Sequence, residues 1–335
     1  MSGGRWTSQS ERGSSVLLRV MIWLTLTLGW TVAQALLIPI TAWFFASSPR
    51  ARAASRDFLA RALDRPPTAS DVFRHLHNFS RAILDRVFVL SNRLDEFDIN
   101  LTGLDHLTAT LKMGRGCVLL GSHLGSFELL RALGRDAPVR VRALMFRRNA
   151  GGPTRILEAL DPALRDSIIE IGAPGAMLEV RESLARGEIV GILGDRVPGE
   201  RKFVETDFLG SKAAFPAGPI ILAATLGAPV VLFYGLRTGP RRYDVRFEPF
   251  AERIILPRAE RMEALRSWVE RYADRLEAMC RAHPFNWFNF YPFWETPPNA
   301  EPEGPHRPAA ASAGRPPSGG ARRGRAEPAG RRRAG

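Results

Sequence analysis

The order of apolar runs predicts an α/β domain with a mostly parallel central sheet and helices on both faces, preceded by an N-terminal membrane-anchoring helix. Three observations predict it. Short β-rich runs bounded by glycine recur with helical stretches between them. Those runs are apolar throughout rather than alternating, as in strands buried on both faces. Ahead of them, residues 20–46 carry no charged side chain and are long enough to cross a bilayer, which takes roughly 20 apolar residues.

The uncharged run follows Arg5, Arg12 and Arg19 and precedes Arg50, Arg52 and Arg56. Positive charge on both flanks leaves its orientation open. Thr25, Thr27, Thr31 and Gln34 dilute the run and Pro39 kinks it, so a tilted or partly interfacial anchor competes with a plain span. Ala33-Gln34-Ala35 mimics a signal-peptide cleavage site, but apolar residues continue through Leu36, Leu37, Ile38, Trp43, Phe44 and Phe45, past the end of any signal peptide. Trp23, Trp30 and Trp43 suit a water–lipid interface. The division expected is a basic segment at 1–19, the anchor at 20–46, a folded domain at 50–297 and a disordered basic tail at 298–335.

Between residues 50 and 93, Phe58, Leu59, Leu63, Val72, Phe73, Leu76, Phe79, Ile83, Leu84, Val87 and Phe88 recur at helical spacing, with Ser70 and Asp71 as caps of the second helix. His75 and His77, near Asp71 and Asp85, resemble metal ligands. Two residues apart on a helix they do not share a face, which predicts a solvated surface instead. Strands are expected at 117–121, 139–145, 167–171, 189–193, 229–235 and 243–247, and helices at 126–133, 154–160, 175–186, 218–226 and 258–281. After Pro297 the chain is Pro, Gly, Ala and Arg, a composition that cannot bury a core. Its arginines either hold it to anionic lipid or leave it an inert tail.

Gly121-Ser122-His123-Leu124-Gly125-Ser126-Phe127-Glu128 places an imidazole and a carboxylate where the first strand of the domain turns into a helix. The carboxyl end of such a strand is where ligands bind in open α/β sheets. This spacing lets His123 act as general base and Glu128 hold its tautomer, the two side chains meeting over the turn. The alternative is a histidine that caps the helix or is satisfied in the core. A hydrolase nucleophile elbow would put serine where His123 stands, which argues against a serine esterase.

His123 and Glu128 match the H-x4-D/E box of the lysophospholipid acyltransferase superfamily, and the chain resembles its late lipid A acyltransferase branch. The likeness runs through Arg147-Arg148-Asn149, then Asp195-Arg196 within an acidic D-x-x-x-G loop, Phe208-Leu209-Gly210, and Phe215-Pro216-Ala217-Gly218-Pro219. It ends at His283-Pro284 with Trp287, an H-P-x-x-W element. Asp195-Arg196 and the aromatic ending Phe288 to Trp294 depart from the lipid A pattern and resemble an aryl-polyene-pathway sub-branch. The resemblance implies a fatty acyl thioester donor, acyl-carrier protein or acyl-CoA, and a lipid acceptor at a bacterial inner membrane, with the catalytic domain on the cytoplasmic side. It implies His123 and Glu128 as catalytic residues, and Arg147, Arg148, Asn149, Asp195, Arg196 and Trp287 as substrate-binding ones. Arg147 or Arg148 would meet the oxyanion or the phosphates of a pantetheine arm. Asp195 would orient Arg196 or the acceptor hydroxyl, or brace its loop. Asn286 and Asn289 have backbone or substrate as partners. The aromatic residues from Phe285 to Trp294 either line an acyl channel or close the domain core.

The net charge of +13 fits an anionic membrane surface and an acidic carrier protein. No finger, RNP-like or helix-turn-helix signature accompanies the arginines, so no nucleic acid is expected. No Walker box, dinucleotide loop or cysteine–histidine metal set is present, and the chemistry calls for no cofactor. Two cysteines, Cys117 and Cys280, form no disulfide framework. Two rival functions remain: a lipid or thioester hydrolase using the same dyad, and a lipid-binding or scaffold protein without catalysis.

Overall fold

The computed structural model describes residues 15–132, 139–146, 160, 167–197 and 202–295. The expected helix at 154–160, apart from its last residue, and the basic tail lie outside them. Three helices come first: α1 (Ser15–Ser47), α2 (Pro49–Ala62) and α3 (Ala69–Leu90). There follow β1 (Asp98–Thr102), α4 (Leu104–Lys112), β2 (Cys117–Gly121), β3 (Val141–Met145), β4 (Ile168–Glu170), α5 (Ala176–Ala185) and β5 (Ile189–Leu193). The chain continues through β6 (Phe203–Phe208), β7 (Ser211–Pro216), α6 (Gly218–Leu226), β8 (Val230–Gly239), β9 (Arg242–Ala251) and α7 (Arg261–Ala282).

One sheet has the strand order β1-β9-β8-β2-β5-β3-β4. Its neighbours are parallel except β8 and β9, which form an antiparallel hairpin. Both faces are covered, as the apolar runs predict. In β2, Cys117 and Leu119 join a cluster with Phe88, Val231 and Phe247, while Val118 and Leu120 join Val190, Leu232, Tyr272 and Trp287 on the other side. That alternation is the two-residue period of a pleated strand with no polar face.

Strand β1, helix α4 and the β6–β7 hairpin were not legible. Strand β1 reads Asp-Ile-Asn-Leu-Thr at the sheet margin, with only Ile99 and Leu101 turned inward against the core. The β6–β7 hairpin stands apart from the main sheet, and its tip, Leu209-Gly210, holds both residues at positive φ, 50° and 78°, as a two-residue hairpin turn requires.

The helical layer also differs from expectation. Thr68, rather than Ser70 or Asp71, caps α3, and Asp71 completes a capping box from the third position, an arrangement worth about 1 kcal/mol. The surface expected around His75 and Asp85 is interior: they are 0% and 1% exposed. His75 is covered by Ser55 and Phe58 of α2 and by the segment from Trp287 to Phe290, and Asp85 is covered by α1, which docks along α3. Ile22 packs on Val87 and Leu90, and Ala33 and Leu37 pack in the cluster of Leu84 and Phe88. Helix α1 itself is broken at Gly29, which sits at φ 80°, ψ 171°.

Candidate active site

Strands β2 and β5 run parallel and side by side, with Gly121 opposite Leu193. The loops leaving their carboxyl ends therefore start from one edge of the sheet. His123 lies on the first loop and Asp195 on the second. His123 Nδ1 donates to Asp195 Oδ1 at 2.7 Å, and the His123 amide donates to Oδ2 at 2.9 Å. An ionised carboxylate offers only acceptors, so the ring proton sits on Nδ1 and the lone pair on Nε2. The His123 side chain is 27% exposed, and Nε2 has no hydrogen-bond partner among the described residues.

Asp195 is wholly buried, and Oδ2 also accepts from Trp287 Nε1 at 3.0 Å and Asn289 Nδ2 at 2.9 Å. Burial pushes its pKa up. The charge and hydrogen bond of His123, together with the Arg196 charge, outweigh that and hold the carboxyl below the usual range. For His123, burial and then Arg196 lower the pKa, while Asp195 and Glu128 raise it, and the net direction is down. A neutral imidazole with its tautomer fixed by a buried carboxylate and its other nitrogen accessible has the equipment of a general base.

Glu128 follows the turn as expected, but its carboxylate does not meet the ring. One oxygen lies 2.8 Å from Arg86 Nε of α3, and the other accepts from Ser126 Oγ at 2.9 Å. The partner of Nδ1 is thus Asp195, in place of the Glu128 that the spacing suggests. The loop is pinned away from the expected helical geometry: Gly125 N donates to the Asn286 carbonyl and Ser126 N to the Gly235 carbonyl. Gly125 sits at φ 84°, and a Cβ there would come within 1.9 Å of Gly235 O. The segment Phe127–Ala132 then forms a 3-10 turn, not an α-helix. Glu128 reaches His123 through its electric field alone.

Residues 13–296 match the family of bacterial lipid A biosynthesis acyltransferases. The chain belongs to that family and is an acyltransferase. It is also similar to a phosphatidylinositol mannoside acyltransferase of Mycolicibacterium smegmatis, 25% identical over 304 residues, which cover 79% of this chain and 89% of that protein. A protein of the same name from Mycobacterium tuberculosis is 26% identical over 260 residues, covering 71% of this chain and 76% of its own.

In this acyltransferase the carboxy-terminal aromatic segment is part of the scaffold of the site. Trp287 is fully buried, its ring centroid 4.8 Å from Phe58, 5.5 Å from Phe208 and 4.7 Å from Phe293. Its neighbour Phe288 donates its amide to the His123 carbonyl at 2.8 Å. Arg196 donates to Asn289 Oδ1 at 2.6 Å and to the Phe288 carbonyl at 2.9 Å, so Asp195 and Arg196 brace the same segment instead of pairing only with each other. Asn286 bonds the backbone of Arg237 in both directions. Arg147, Arg148 and Asn149 lie outside the described residues. Arg86 and Ser126, which hold Glu128, were not singled out by the sequence. Nothing in the spacing of α3 pairs Arg86 with a loop 42 residues later. Among the described residues no group of three or more His, Cys, Asp or Glu side chains is placed to hold a metal ion.

Proposed function

We propose that the protein transfers a fatty acyl group from an acyl thioester, carried by acyl-carrier protein or coenzyme A, to a hydroxyl of a lipid or glycolipid at the inner face of a bacterial inner membrane. His123 is the general base. The observation that carries this is the 2.7 Å bond from Nδ1 to buried Asp195, which leaves Nε2 as the accessible lone pair. Nε2 removes the acceptor hydroxyl proton as the oxygen attacks the thioester carbonyl. The tetrahedral oxyanion then collapses, the C–S bond breaks, and the departing sulfur takes the proton from the imidazolium. Asp195 stabilises that imidazolium, and Glu128 adds its negative field from the other side. Arg147 or Arg148 meets the oxyanion or the donor's phosphates, Asn149 takes part in substrate binding beside them, Arg196 shapes the acceptor side, and Trp287 acts on substrate binding from behind, through the segment and the Asp195 carboxylate it holds.

The mannosylated phosphatidylinositol acceptors named for the two mycobacterial relatives support a glycosylated phospholipid as the acceptor class. Membranes holding the full chain, given labelled acyl-carrier protein or acyl-CoA and candidate glycolipids, test the proposal. Wild type should acylate an acceptor, and His123→Ala should lose transfer. Unchanged transfer in His123→Ala overturns the mechanism, and release of free fatty acid with no acceptor product replaces transfer with hydrolysis.

A further inference from the structure

Helix α1 contains a stretch, Val20–Ser47, long and apolar enough to cross a membrane, yet the way it is docked conflicts with crossing. Its inner face meets polar and charged groups of the domain along its length. Arg93 donates to the Leu26 carbonyl at 3.4 Å, and the Arg241 guanidinium lies 4.8 Å from the Trp30 ring centre. Asp85, 1% exposed, accepts from Trp30 Nε1 at 2.7 Å and Gln34 Nε2 at 3.4 Å. Thr41 Oγ1 is 3.1 Å from His77 Nδ1 and 3.3 Å from Ser80 Oγ. Arg52 donates to the Ala46 carbonyl at 2.7 Å.

These contacts run from Leu26 to Ala46 across the break at Gly29, and the helix after the break, Trp30 to Ala46, alone measures about 24 Å at ~1.5 Å per residue, most of the roughly 30 Å hydrocarbon depth of a bilayer. A spanning α1 that kept its partners would carry Arg93, Arg241 and Asp85 into hydrocarbon, where charged side chains are strongly disfavoured. A spanning α1 that shed them would strip α3 of its cover and expose Asp85.

The outer face is the opposite in character. Trp23, Leu28, Val32, Ile38, Ile40 and Trp43 are 40–64% exposed, and no charged side chain interrupts them. Directly beyond, Arg50 and Arg56 of α2 are exposed. A broad apolar strip followed by basic residues complements an anionic leaflet: acyl chains for the strip, headgroups for the arginines and the tryptophan rims.

We propose that α1 lies in the plane of the membrane, docked on α3, with its outer face sunk into one leaflet, so that the protein is monotopic and both ends of α1 lie on the same side. This does not depend on the acyl-transfer chemistry, and its test reads no activity. Ser8→Cys, ahead of α1, and Glu252→Cys, on the catalytic domain, serve as separate reporters. The natural Cys117 and Cys280 are fully buried and remain silent. With the full chain in sealed right-side-out and inverted membrane vesicles, a membrane-impermeant maleimide should label both reporters in one preparation and neither in the other. Labelling of the two from opposite sides overturns the proposal in favour of a span. Recovery of the wild-type chain as a soluble dimer also overturns it, because a second copy then covers the strip. The double variant Val32→Glu with Trp43→Glu should move the folded chain to the soluble fraction in high salt, and retention on the vesicles counts against the proposal.

Discussion

Asp195 holds His123 by ring and backbone at once: Oδ1 accepts from Nδ1 at 2.7 Å and Oδ2 from the His123 amide at 2.9 Å. A carboxylate bound this way fixes both the tautomer and the position of the loop that presents the ring. Because Asp195 Oδ2 also takes protons from Trp287 and Asn289, the carboxy-terminal segment sets the orientation of the imidazole although it comes about 165 residues later in the chain.

Asp195→Asn keeps the shape but replaces an acceptor-only group with one that can donate, which favours the wrong ring tautomer. Transfer should fall by about 10³-fold or more in kcat, the scale seen when a catalytic histidine loses its carboxylate. KM for the donor should change little. Steady-state kinetics check this, and a loss confined to KM would show that Asp195 acts in binding.

The pH dependence of kcat/KM separates Arg196 from Glu128. Burial and Arg196 lower the His123 pKa, whereas Asp195 and Glu128 raise it. With His123 as the proposed base, activity needs the neutral ring, so the rate should rise with pH through a midpoint below 6.5, the ordinary value. Removing a positive neighbour eases protonation, so Arg196→Gln should move that midpoint up. Removing a negative neighbour hinders it, so Glu128→Gln should move the midpoint down. Shifts in the same direction for both variants would contradict the arrangement.

The sheet was legible because buried parallel strands leave a simple mark, an unbroken apolar run between glycines, and β2 and β5 lie where that mark puts them. His123 was legible as the residue at the strand end. Its partner was not, since local spacing favours Glu128, five residues on, while the true neighbour of Nδ1 comes from the adjacent parallel strand 72 residues later. Sequence spacing reports what a helix brings together and is silent about which loops a sheet aligns. The same limit hid the fate of His75 and Asp85. Helix α3 packs on α1 on one side and on the carboxy-terminal segment on another, so the neighbour rule for one helix could not foresee that its polar residues are interior.

Asp85 ties four elements together, accepting from Trp30, Gln34, Arg237 and Tyr243. Arg237 is only 5% exposed at its side chain, so Asp85→Ala leaves a buried guanidinium without its countercharge. The expected loss is about 3–5 kcal/mol, together with faster proteolysis within residues 20–47 as α1 loosens. Denaturant unfolding in mild detergent measures the first and limited proteolysis the second. A loss below about 1 kcal/mol would show that α1 is held by apolar packing alone.

His75 should make stability depend on pH with a defined sign. Its Nε2 lies 2.8 Å from the Trp287 carbonyl, an acceptor only, so Nε2 carries the proton and Nδ1 accepts from Ser55 Oγ at 2.9 Å. Both nitrogens of a neutral ring are satisfied and the group is wholly buried, which pushes its pKa down from 6.5 to about 4. Between those values the unfolded chain binds a proton that the folded chain refuses. Stability is therefore full above pH 6.5 and declines as pH falls towards about 4, by about 3 kcal/mol from this residue at ~1.4 kcal/mol per unit. His77, also lowered to about 4 by burial and by Arg81 and Arg237, acts in the same direction, so the wild-type slope contains both. His75→Gln keeps a donor and an acceptor but does not titrate. It should be less stable at pH 7 yet lose less on acidification, the slope between pH 6.5 and 4 falling by up to one proton. Unfolding midpoints across that range measure the slope, and identical slopes for variant and wild type would place His75 outside the acid response.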